Sequence, residues 1–501
     1  MTKQATGVAL FGERANDRTS FGRLAVADGL LGFAIICGLS LLVGLGGTQR
    51  EVLVLSAALL GSGTAAVAGR RRYERRGDPS TYLVVSALAA TWMALVLSGT
   101  AVYLLTGTVT SPANALFESA AGFSTVAATT LDVTALSPTM SVFRAATQFL
   151  GGLLGLIAAV VSLPRVMKTT LQVPSGEGLR RDRLVPAPLL GRRRIMAIYS
   201  VLTLLCALAY ASTGFGIRSA LIHGMTTVST GGFSDRASSF MDAGVGAKLV
   251  ATVFMFVAGM SYFALFWLIR GKTAKFVRSI EWRVYLAIVS SSSLAIFFGT
   301  ESTGFVDSVF TATSASSTTG FAVVEWPAFS SFGLAVLLFG VATGAMSASS
   351  GSGLRVIRAF LLVRFALREI RLQLDPKAVT VIRYDDRALA DRELDSLTGY
   401  QIAHFGLVGV GAFVLATTGD DLVDALWTSV SMISTFGPSP TMGPMGDANQ
   451  LSEAGRLLMI PGMLAGRLTV LPLLFAVAAA LAGFRGARRR IRSRLRDWGR
   501  R

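Results

Sequence analysis

Apolar stretches recur along the whole chain, and they constrain its fold more than any other feature. Many of them reach the roughly 20 residues that a helix needs to cross about 30 Å of hydrocarbon. Hydrophobic residues make up 52% of the 501 residues and charged residues only 15%, below the roughly 25% charged residues of soluble domains. This predicts a polytopic membrane protein whose spans lie in the stretches 24–46, 52–69, 81–105, 144–163, 195–213, 249–269, 284–299, 329–345, 401–417 and 457–483.

The net charge of +18 is distributed unevenly between the two sides of these spans. Lys and Arg concentrate in alternate connecting segments, which is typical of cytoplasmic loops. We therefore expect a plasma (inner) membrane protein with both termini in the cytoplasm and with basic residues facing anionic membrane lipid. A nucleic-acid partner is disfavoured because no basic segment carries interleaved aromatic residues. The basic segments are 1–23, 70–80, 164–194, 270–283, 355–398 and 485–501.

One short phrase occurs four times, each time between two apolar stretches. Every copy begins with Ser-Thr, and three of the four end in Gly. Each copy is preceded by a weakly apolar stretch that is long enough for one short helix. The second to fourth positions of the copies are the candidate ion-binding residues: Thr125, Val126 and Ala127; Thr230, Gly231 and Gly232; Thr318, Thr319 and Gly320; and Thr435, Phe436 and Gly437.

A cation selectivity filter explains these residue types. A short helix that enters the membrane and stops partway points its partly negative C-terminal end at the pore axis. The next residues then run extended, and their carbonyl oxygens replace the hydration shell of the ion. Gly adopts backbone angles that other residues reach only at a cost. The alternative is that the four copies are small-residue faces where membrane helices pack.

Several stretches resemble the Trk/Ktr/HKT superfamily of potassium and sodium transporters. They are Leu116–Ser119 through Leu131-Asp132, Gln148–Gly152, Thr318–Phe321 with Val323-Val324, and Gly466–Leu468. The resemblance covers roughly residues 81–483 and is strongest to the Trk type. It implies an all-α polytopic membrane protein with four helix–pore loop–helix repeats around one central pore, preceded by two extra N-terminal transmembrane helices. The function it implies is potassium uptake through a gated, channel-like pore.

A Gly- and Ser-rich run at 340–353 cannot hold a stiff helix, because each interior Gly costs up to about 1 kcal/mol relative to Ala. It is expected to break the second helix of the third repeat. In the family, the corresponding loop lies beneath the filter and acts as the gate. The alternative is a simple kink or a close helix crossing. The candidate gate residues in the run are Gly344, Ser347, Ser350, Gly351 and Gly353.

Arg467 is a further candidate gate residue, since it lies deep in an apolar stretch. A charge at such depth normally faces a cavity or a partner. The resemblance places it below the filter, where it would repel permeant cations or contact the gate loop. Snorkelling to a membrane interface is the alternative. Thr469 stands where Trk-type members often have an acidic residue.

Ala127 departs from the phrase, since the other three copies have Gly at this position. If the position needs a positive φ, a β-carbon there costs about 1–2 kcal/mol. In plant relatives, Ser at the first filter Gly accompanies sodium transport. Ala127 therefore keeps open an alternative function, which is sodium or poorly selective conduction through the same pore.

The resemblance also implies partners and a domain order. It implies a homodimer and a docking surface on 355–398 for a cytoplasmic ring of nucleotide-binding regulatory subunits. No nucleotide fingerprint lies in this chain, so we expect no cofactor here and potassium as the permeant ligand. The predicted order is 1–80 (N-terminus and two extra helices), 81–170, 195–270 and 284–365 (repeats 1 to 3), 366–398 (amphipathic linker), 399–484 (repeat 4) and 485–501 (basic tail).

Enzymatic activity is not expected. A membrane enzyme, or a secondary transporter with an acidic site at mid-membrane, needs His, Asp, Glu or Cys side chains that converge within the bilayer. His223 and His404 have no acidic or Cys companions at ligand spacing and are interpreted as structural, and Cys37 and Cys206 lie within apolar stretches.

Overall fold

The computed structural model describes residues 15–71, 81–162, 188–300, 303–377, 380–384, 387–389 and 391–468. Almost all of its regular structure is α-helix, as predicted. The helices are α1 (Ala15–Val43), α2 (Gln49–Arg71), α3 (Thr81–Thr106), α4 (Pro112–Ser124), α5 (Pro138–Ile157), α6 (Pro188–Ser212), α7 (Ile217–Val228), α8 (Val245–Ala258), α9 (Tyr262–Ile269), α10 (Thr273–Arg278), α11 (Ile280–Gly299), α12 (Phe305–Ser317), α13 (Ser331–Thr343), α14 (Val356–Leu374), α15 (Asp391–Thr417), α16 (Leu422–Ile433) and α17 (Glu453–Leu468).

Within the described residues, seven helices are long and apolar enough to cross a membrane. A π-helical turn, Ala158–Ser162, extends α5, and single 3₁₀ turns occur at Trp326–Ala328 and Ala448–Gln450. A small antiparallel hairpin, Arg383–Tyr384 with Arg387–Ala388, lies between α14 and α15. The chain is thus a polytopic α-helical membrane protein. The predicted tail 485–501 and the end of the stretch 457–483 lie outside the described residues.

Four repeats of helix, pore helix, pore loop and helix follow the N-terminal pair α1 and α2. The pore helices are α4, α7, α12 and α16. Two of them, α4 and α16, begin with a side-chain N-cap. The side chain of Ser111 accepts a hydrogen bond from the backbone N–H of Asn114, and Asp421 accepts one from Val423, which satisfies N–H groups that a helix start leaves free. The predicted fourfold architecture is confirmed.

The two extra helices pack against repeat 1 through a buried acid. Oε2 of Glu51 accepts hydrogen bonds from the backbone N–H of Thr48 and from the hydroxyl of Ser137, each at 2.9 Å. Ser137 also caps α5. One carboxylate thereby joins the start of α2 to the start of the second helix of repeat 1.

Two of the predicted spans are broken in the structure. The stretch 249–269 is not one span, because α8 and α9 meet at an angle of 101° across residues 259–261. In repeat 3, the loop 344–355 separates α13 from α14, and we call it the Gly/Ser loop. Non-helical backbone is tolerated at membrane depth only where protein covers it or where it lines a water-filled path. Both breaks are covered by protein, and they lie against each other.

Hydrogen bonds between the two breaks show this contact. The N–H of Met346 donates to the carbonyl oxygen of Gly259 at 3.0 Å, and the N–H of Tyr262 donates to that of Ala348 at 3.0 Å. The N–H of Ser350 donates to the carbonyl oxygen of Ala258 at 3.2 Å. The Gly/Ser loop therefore packs on the break in the second helix of repeat 2 and is hydrogen-bonded to it.

Candidate ion pathway

Each pore helix ends in the same turn, and the turn is built on the threonine of the repeated phrase. Thr125, Thr230, Thr318 and Thr435 have φ values of 55°, 53°, 59° and 59°. Left-handed backbone is uncommon for residues other than Gly and is an outlier for a β-branched residue. Such strained residues persist only where the surrounding structure imposes them, and they cluster at functional sites.

The hydrogen bonds of this turn also repeat four times. The residue after each threonine donates its N–H to a carbonyl oxygen five residues back, at 2.8–2.9 Å. The donors are Val126, Gly231, Thr319 and Phe436. This bond ends the helix in the manner of a Schellman motif, in which the left-handed residue directs the chain sharply away from the helix axis. The sequence pattern predicted Gly at the fourth position, but not the strained threonine at the second.

The glycines at the fourth position of repeats 2, 3 and 4 also have positive φ. Gly232, Gly320 and Gly437 have φ values of 74°, 85° and 102°, which Gly adopts readily and other residues do not. A β-carbon at Gly320 would lie 2.5 Å from Cβ of Ala127 and would also meet the carbonyl oxygen of Phe436. At these positions Gly is required both by backbone angle and by space.

Ala127 does not share the positive φ of its three counterparts. The condition under which a β-carbon would strain this position, a positive φ, is therefore not met at Ala127. The first repeat reaches the same place with ordinary backbone angles, and the N–H of Ala127 donates to the carbonyl oxygen of Phe436 at 3.3 Å. Repeat 1 therefore accommodates Ala in place of Gly because its backbone follows a different local path.

The four pore loops meet in a closed ring. A β-carbon at Gly232 would lie 2.6 Å from that of Ala127 and would meet the carbonyl oxygen of Thr319, so repeat 2 adjoins repeat 3. Gly320 adjoins Phe436 in the same way, and Gly437 adjoins the backbone of Ala127. Contact therefore runs from repeat 1 to 2, 2 to 3, 3 to 4 and 4 to 1 through the fourth positions of the four phrases, and we call this arrangement of the four phrases the ring.

Gln148, on the second helix of repeat 1, adds a side-chain link between repeats 1 and 2. Its Nε2 donates to the carbonyl oxygen of Val126 at 3.2 Å and to that of Gly231 at 2.7 Å. Its Oε1 accepts the N–H of Phe233 at 3.1 Å. The sequence analysis used Gln148 only as part of a resemblance and missed this contact, since the partners are 22 to 85 residues away.

A buried ion pair supports the pore loop of repeat 1 from behind. Nε of Arg144 lies 2.7 Å from Oε1 of Glu118, and both side chains are almost fully buried. Glu118 also accepts hydrogen bonds from the hydroxyl of Thr129 and the N–H of Thr130. The guanidinium of Arg144 stacks on the ring of Phe233, with Cζ 3.5 Å from the ring centroid. The pair holds the exits of pore loops 1 and 2 together.

A cavity borders the fourth positions of repeats 1, 2 and 3. Ala127, Gly232 and Gly320 line it, together with Asp132 and Asp447. The hydroxyl and the backbone N–H of Thr134 both donate to Asp132, at 2.6 and 2.9 Å. These hydrogen bonds hold the pKa of the exposed Asp132 carboxyl below its ordinary value, because they favour its charged form. A carboxylate here raises the local concentration of cations.

The candidate gate residues lie in the Gly/Ser loop, directly beneath the ring. Gly344 and Gly353 have φ values of 67° and 80° and pack against each other at the two ends of the loop. Gly351 lies so close to pore loop 3 that a β-carbon there would be 2.6 Å from the carbonyl oxygen of Ser317. The N–H of Ser352 donates to Oγ1 of Thr318 at 2.9 Å. The loop is thus hydrogen-bonded to a residue of the ring.

Two buried charges hold the other side of this loop, and the sequence analysis missed both. Oε1 of Glu281, in the first turn of α11, accepts the N–H of Ser347 at 2.5 Å. Nη1 of Arg355 donates to the carbonyl oxygen of Met346 at 3.2 Å and to the hydroxyl of Ser349 at 3.1 Å. The sequence analysis included Arg355 only as part of the basic segment 355–398 and did not consider Glu281, because only the fold turns them inward.

Arg467 is buried at the end of the described part of α17, between the Gly/Ser loop and repeat 1. Its Nη1 donates to the carbonyl oxygen of Ser350 at 2.6 Å, and its Nη2 donates to those of Gly151 and Gly152 at 3.4 and 3.0 Å. This places Arg467 in contact with the loop rather than at a membrane interface.

The model of the TrkH family, described as cation transport proteins, matches residues 71–482 of this chain. The chain belongs to the TrkH family. The Trk system potassium uptake protein TrkH of Escherichia coli K12 is 30% identical over 382 residues, covering 72% of this chain and 77% of that protein. TrkH of Halomonas elongata is 29% identical over 406 residues, covering 76% and 81%.

The fold of this chain also matches that of a solved structure. The crystal structure of the potassium transporter TrkH from Vibrio parahaemolyticus matches with a TM-score of 0.78, covering 91% of this chain and 98% of that one at 24% identity. In the described residues of this TrkH-family chain, no group of three or more His, Cys, Asp or Glu could hold a metal ion. His223 contacts Ser219 and Ser234 within repeat 2, and its Nδ1 also lies 3.7 Å from Oδ1 of Asp235, an acidic neighbour that the sequence spacing did not reveal.

Proposed function

We propose that this chain takes up potassium through a gated pore that runs through the ring of four pore loops. The observation that carries the proposal is the left-handed threonine at the end of all four pore helices, since four unrelated packing contacts would not need the same strained turn. The relatives named as potassium uptake proteins support potassium as the transported ion.

Potassium would be held by oxygen atoms of the ring, and no cofactor is needed. The C-terminal ends of four pore helices supply partial negative charge. Carbonyl oxygens replace the hydration shell, and the hydroxyls of Thr125 and Thr435, which are buried and make no hydrogen bond within the described residues, are further oxygen ligands. Sodium conduction is not favoured, because its motive was strain at Ala127 and that residue has no positive φ.

The Gly/Ser loop is proposed as the gate, through Gly344, Ser347, Ser350, Gly351 and Gly353, with Arg467 as the residue that holds it closed. The loop lies beneath the ring and is hydrogen-bonded to Thr318. Backbone hydrogen bonds and the buried charges of Glu281, Arg355 and Arg467 hold it in place. Since Arg355 directly precedes α14, a movement of that helix would act on the loop. The kink alternative predicts instead that the loop has no influence on closed-state flux.

Complementation tests the transported ion. A bacterium that lacks its own potassium uptake systems should grow at low potassium when it expresses this chain, and added sodium should not be required. In proteoliposomes, the purified chain should carry potassium in preference to sodium. Growth without measurable potassium flux, or flux that does not discriminate between the two ions, would contradict the proposal.

We also propose a homodimer in the plasma membrane, with both termini in the cytoplasm and a ring of nucleotide-binding regulatory subunits docked on 355–398. Support comes from the family resemblance and from the basic helix α14, which exposes Val363, Leu367 and Ile370. Light scattering in detergent should give twice the chain mass of 52.7 kDa. Single cysteines introduced near residue 3 and in 485–501 should react only with reagent on the cytoplasmic side.

A further inference from the structure

We propose that Gln148 is a positioning residue that determines the ion selectivity of the pore. The inference rests on the proposed potassium function and adds a residue outside the pore loops to it. Gln148 is fully buried and lies on the second helix of repeat 1, yet its side chain contacts the pore loops of both repeat 1 and repeat 2.

The chemistry of an amide fits this place better than any other side chain. An amide nitrogen has two N–H donors, and an amide oxygen accepts. Here the two donors meet the carbonyl oxygens of Val126 and Gly231, and the acceptor meets the N–H of Phe233. Every polar contact of the side chain is therefore to backbone atoms of candidate filter segments.

These contacts fix the distance between two walls of the pore. Both carbonyl oxygens belong to the third position of the repeated phrase. The side chain of Gln148 therefore sets the distance and the angle between these two carbonyl groups. A β-carbon at Gly231 would lie 2.9 Å from Nε2 of Gln148 and closer still to its carbonyl group. The close approach explains why small Gly231 stands at this position of repeat 2.

Gln148 also accounts for the tolerance of Ala127. The segment around Ala127 is held on one side by the hydrogen bond from its N–H to Phe436 and on the other by the bond from Gln148 to Val126. Fixed at both sides, pore loop 1 needs no positive φ at its fourth position. Ala127, which differs from the Gly of the other repeats, and Gln148, which supports its segment, thus belong to one arrangement.

The second helix of repeat 2 carries no glutamine at the corresponding place. Gly152 and Gly259 occupy equivalent places, because a β-carbon at either would contact the first serine of the next repeat's phrase, Ser229 or Ser317. Four residues before Gly152 stands Gln148, and four residues before Gly259 stands the buried Met255. Methionine is therefore a side chain of similar length that this scaffold already accommodates at such a place.

Two substitutions test the proposal. Gln148→Met keeps the length and removes the donors, and Gln148→Glu keeps the shape but turns a carboxylate towards two carbonyl oxygens. We expect both to lower the potassium-to-sodium permeability ratio in proteoliposomes by at least about tenfold, a difference of about 1.4 kcal/mol between the two ions. Potassium flux through Gln148→Met should persist, because the ring remains.

Gln401→Met is the matched control. Gln401 is also a buried glutamine whose Nε2 donates to a carbonyl oxygen, that of Arg358 at 2.7 Å, but it lies on α15 away from the ring. Its substitution should leave the ratio unchanged. Unaltered ratios in both folded Gln148 variants would overturn the inference, whereas a wild type without potassium flux would overturn the proposed function instead. Retained size-exclusion profiles separate either result from misfolding.

Discussion

Nη1 of Arg467 donates a 2.6 Å hydrogen bond to the carbonyl oxygen of Ser350. The two residues are 117 positions apart in the chain and belong to repeats 4 and 3. Because the same guanidinium also contacts Gly151 and Gly152 of repeat 1, one side chain joins the Gly/Ser loop to the second helix of another repeat. For the Gly/Ser loop to act as the proposed gate, this bond must break when the pore opens.

Replacing Arg467 should therefore open the resting pore. Arg467→Gln removes the charge and shortens the reach to Ser350, and truncating one partner of a buried charged hydrogen bond costs about 2–5 kcal/mol. We expect potassium efflux from proteoliposomes without any regulatory subunit to rise at least tenfold, a change of about 1.4 kcal/mol. Arg456→Gln on the same helix, whose Nη1 contacts Ala448 and Leu451, should leave resting efflux as in the wild type. Equal efflux in both variants would show that the loop is a structural kink.

The glycines with positive φ should not tolerate a side chain. Gly320→Ser places a β-carbon 2.5 Å from that of Ala127 in a backbone conformation that costs about 1–2 kcal/mol for other residues. We expect a potassium-to-sodium ratio lower by about tenfold, and the same direction for Gly232→Ser and Gly437→Ser. Gly406→Ser, on α15 with open space around it, is the control. Unchanged ratios in all three filter variants would refute the assignment of the ring as filter.

Ala127→Gly should leave selectivity unchanged, because Ala127 has no positive φ and hence no strain to relieve. Ala127→Val should reduce potassium flux, since the β-carbon of Ala127 lies next to Gly232 and Gly320 and all three residues line the cavity. Flux and reversal potentials of both variants in the same membranes provide the measurement. A ratio that rises in Ala127→Gly would restore the sodium interpretation.

Breaking the buried ion pair should destabilise the fold. Glu118→Gln leaves the buried Arg144 without its counter-charge, and removing one partner of such a pair costs about 3–5 kcal/mol. The thermal unfolding midpoint in detergent should fall clearly. Arg70→Gln breaks the exposed pair with Asp28, which is worth about 0–1 kcal/mol, and should shift the midpoint little. Similar shifts in the two variants would mean that the Glu118–Arg144 pair contributes no more than a surface contact.

The Asp132 carboxylate should give the flux a measurable pH dependence. Since hydrogen bonds from Thr134 lower the pKa of Asp132, this group stays charged as the pH on its side of the membrane falls to the ordinary pKa of an aspartate, and its attraction for cations is lost only below that point. Thr134→Val removes the hydroxyl donor, so the pKa should rise and the loss of flux should begin at higher pH. Asp132→Asn should lack this step altogether. A step that stays at the same pH in Thr134→Val would exclude Asp132 as its source.

The sequence by itself determined the features that depend on local rules. The number of repeats, the four phrases and the positive φ of Gly232, Gly320 and Gly437 follow from apolar length and from the conformational freedom of Gly. The break beneath the ring follows from the Gly-rich composition of 340–353 in the same way. These properties depend on only a few neighbouring residues, so they can be predicted without knowledge of the fold.

Only the tertiary structure decided which distant groups meet. The side chain of Gln148 joins the carbonyl groups of Val126 and Gly231, and the carboxylate of Glu281 accepts a hydrogen bond from Ser347. The break at 259–261 is hydrogen-bonded to the Gly/Ser loop. Neither an amide on a membrane helix nor an acid at the start of a helix reveals its partner, because hydrogen-bond partners across repeats are fixed by packing rather than by local sequence. Ala127 shows the same limit: its backbone angle depends on Phe436 and Gln148, which hold its segment from either side.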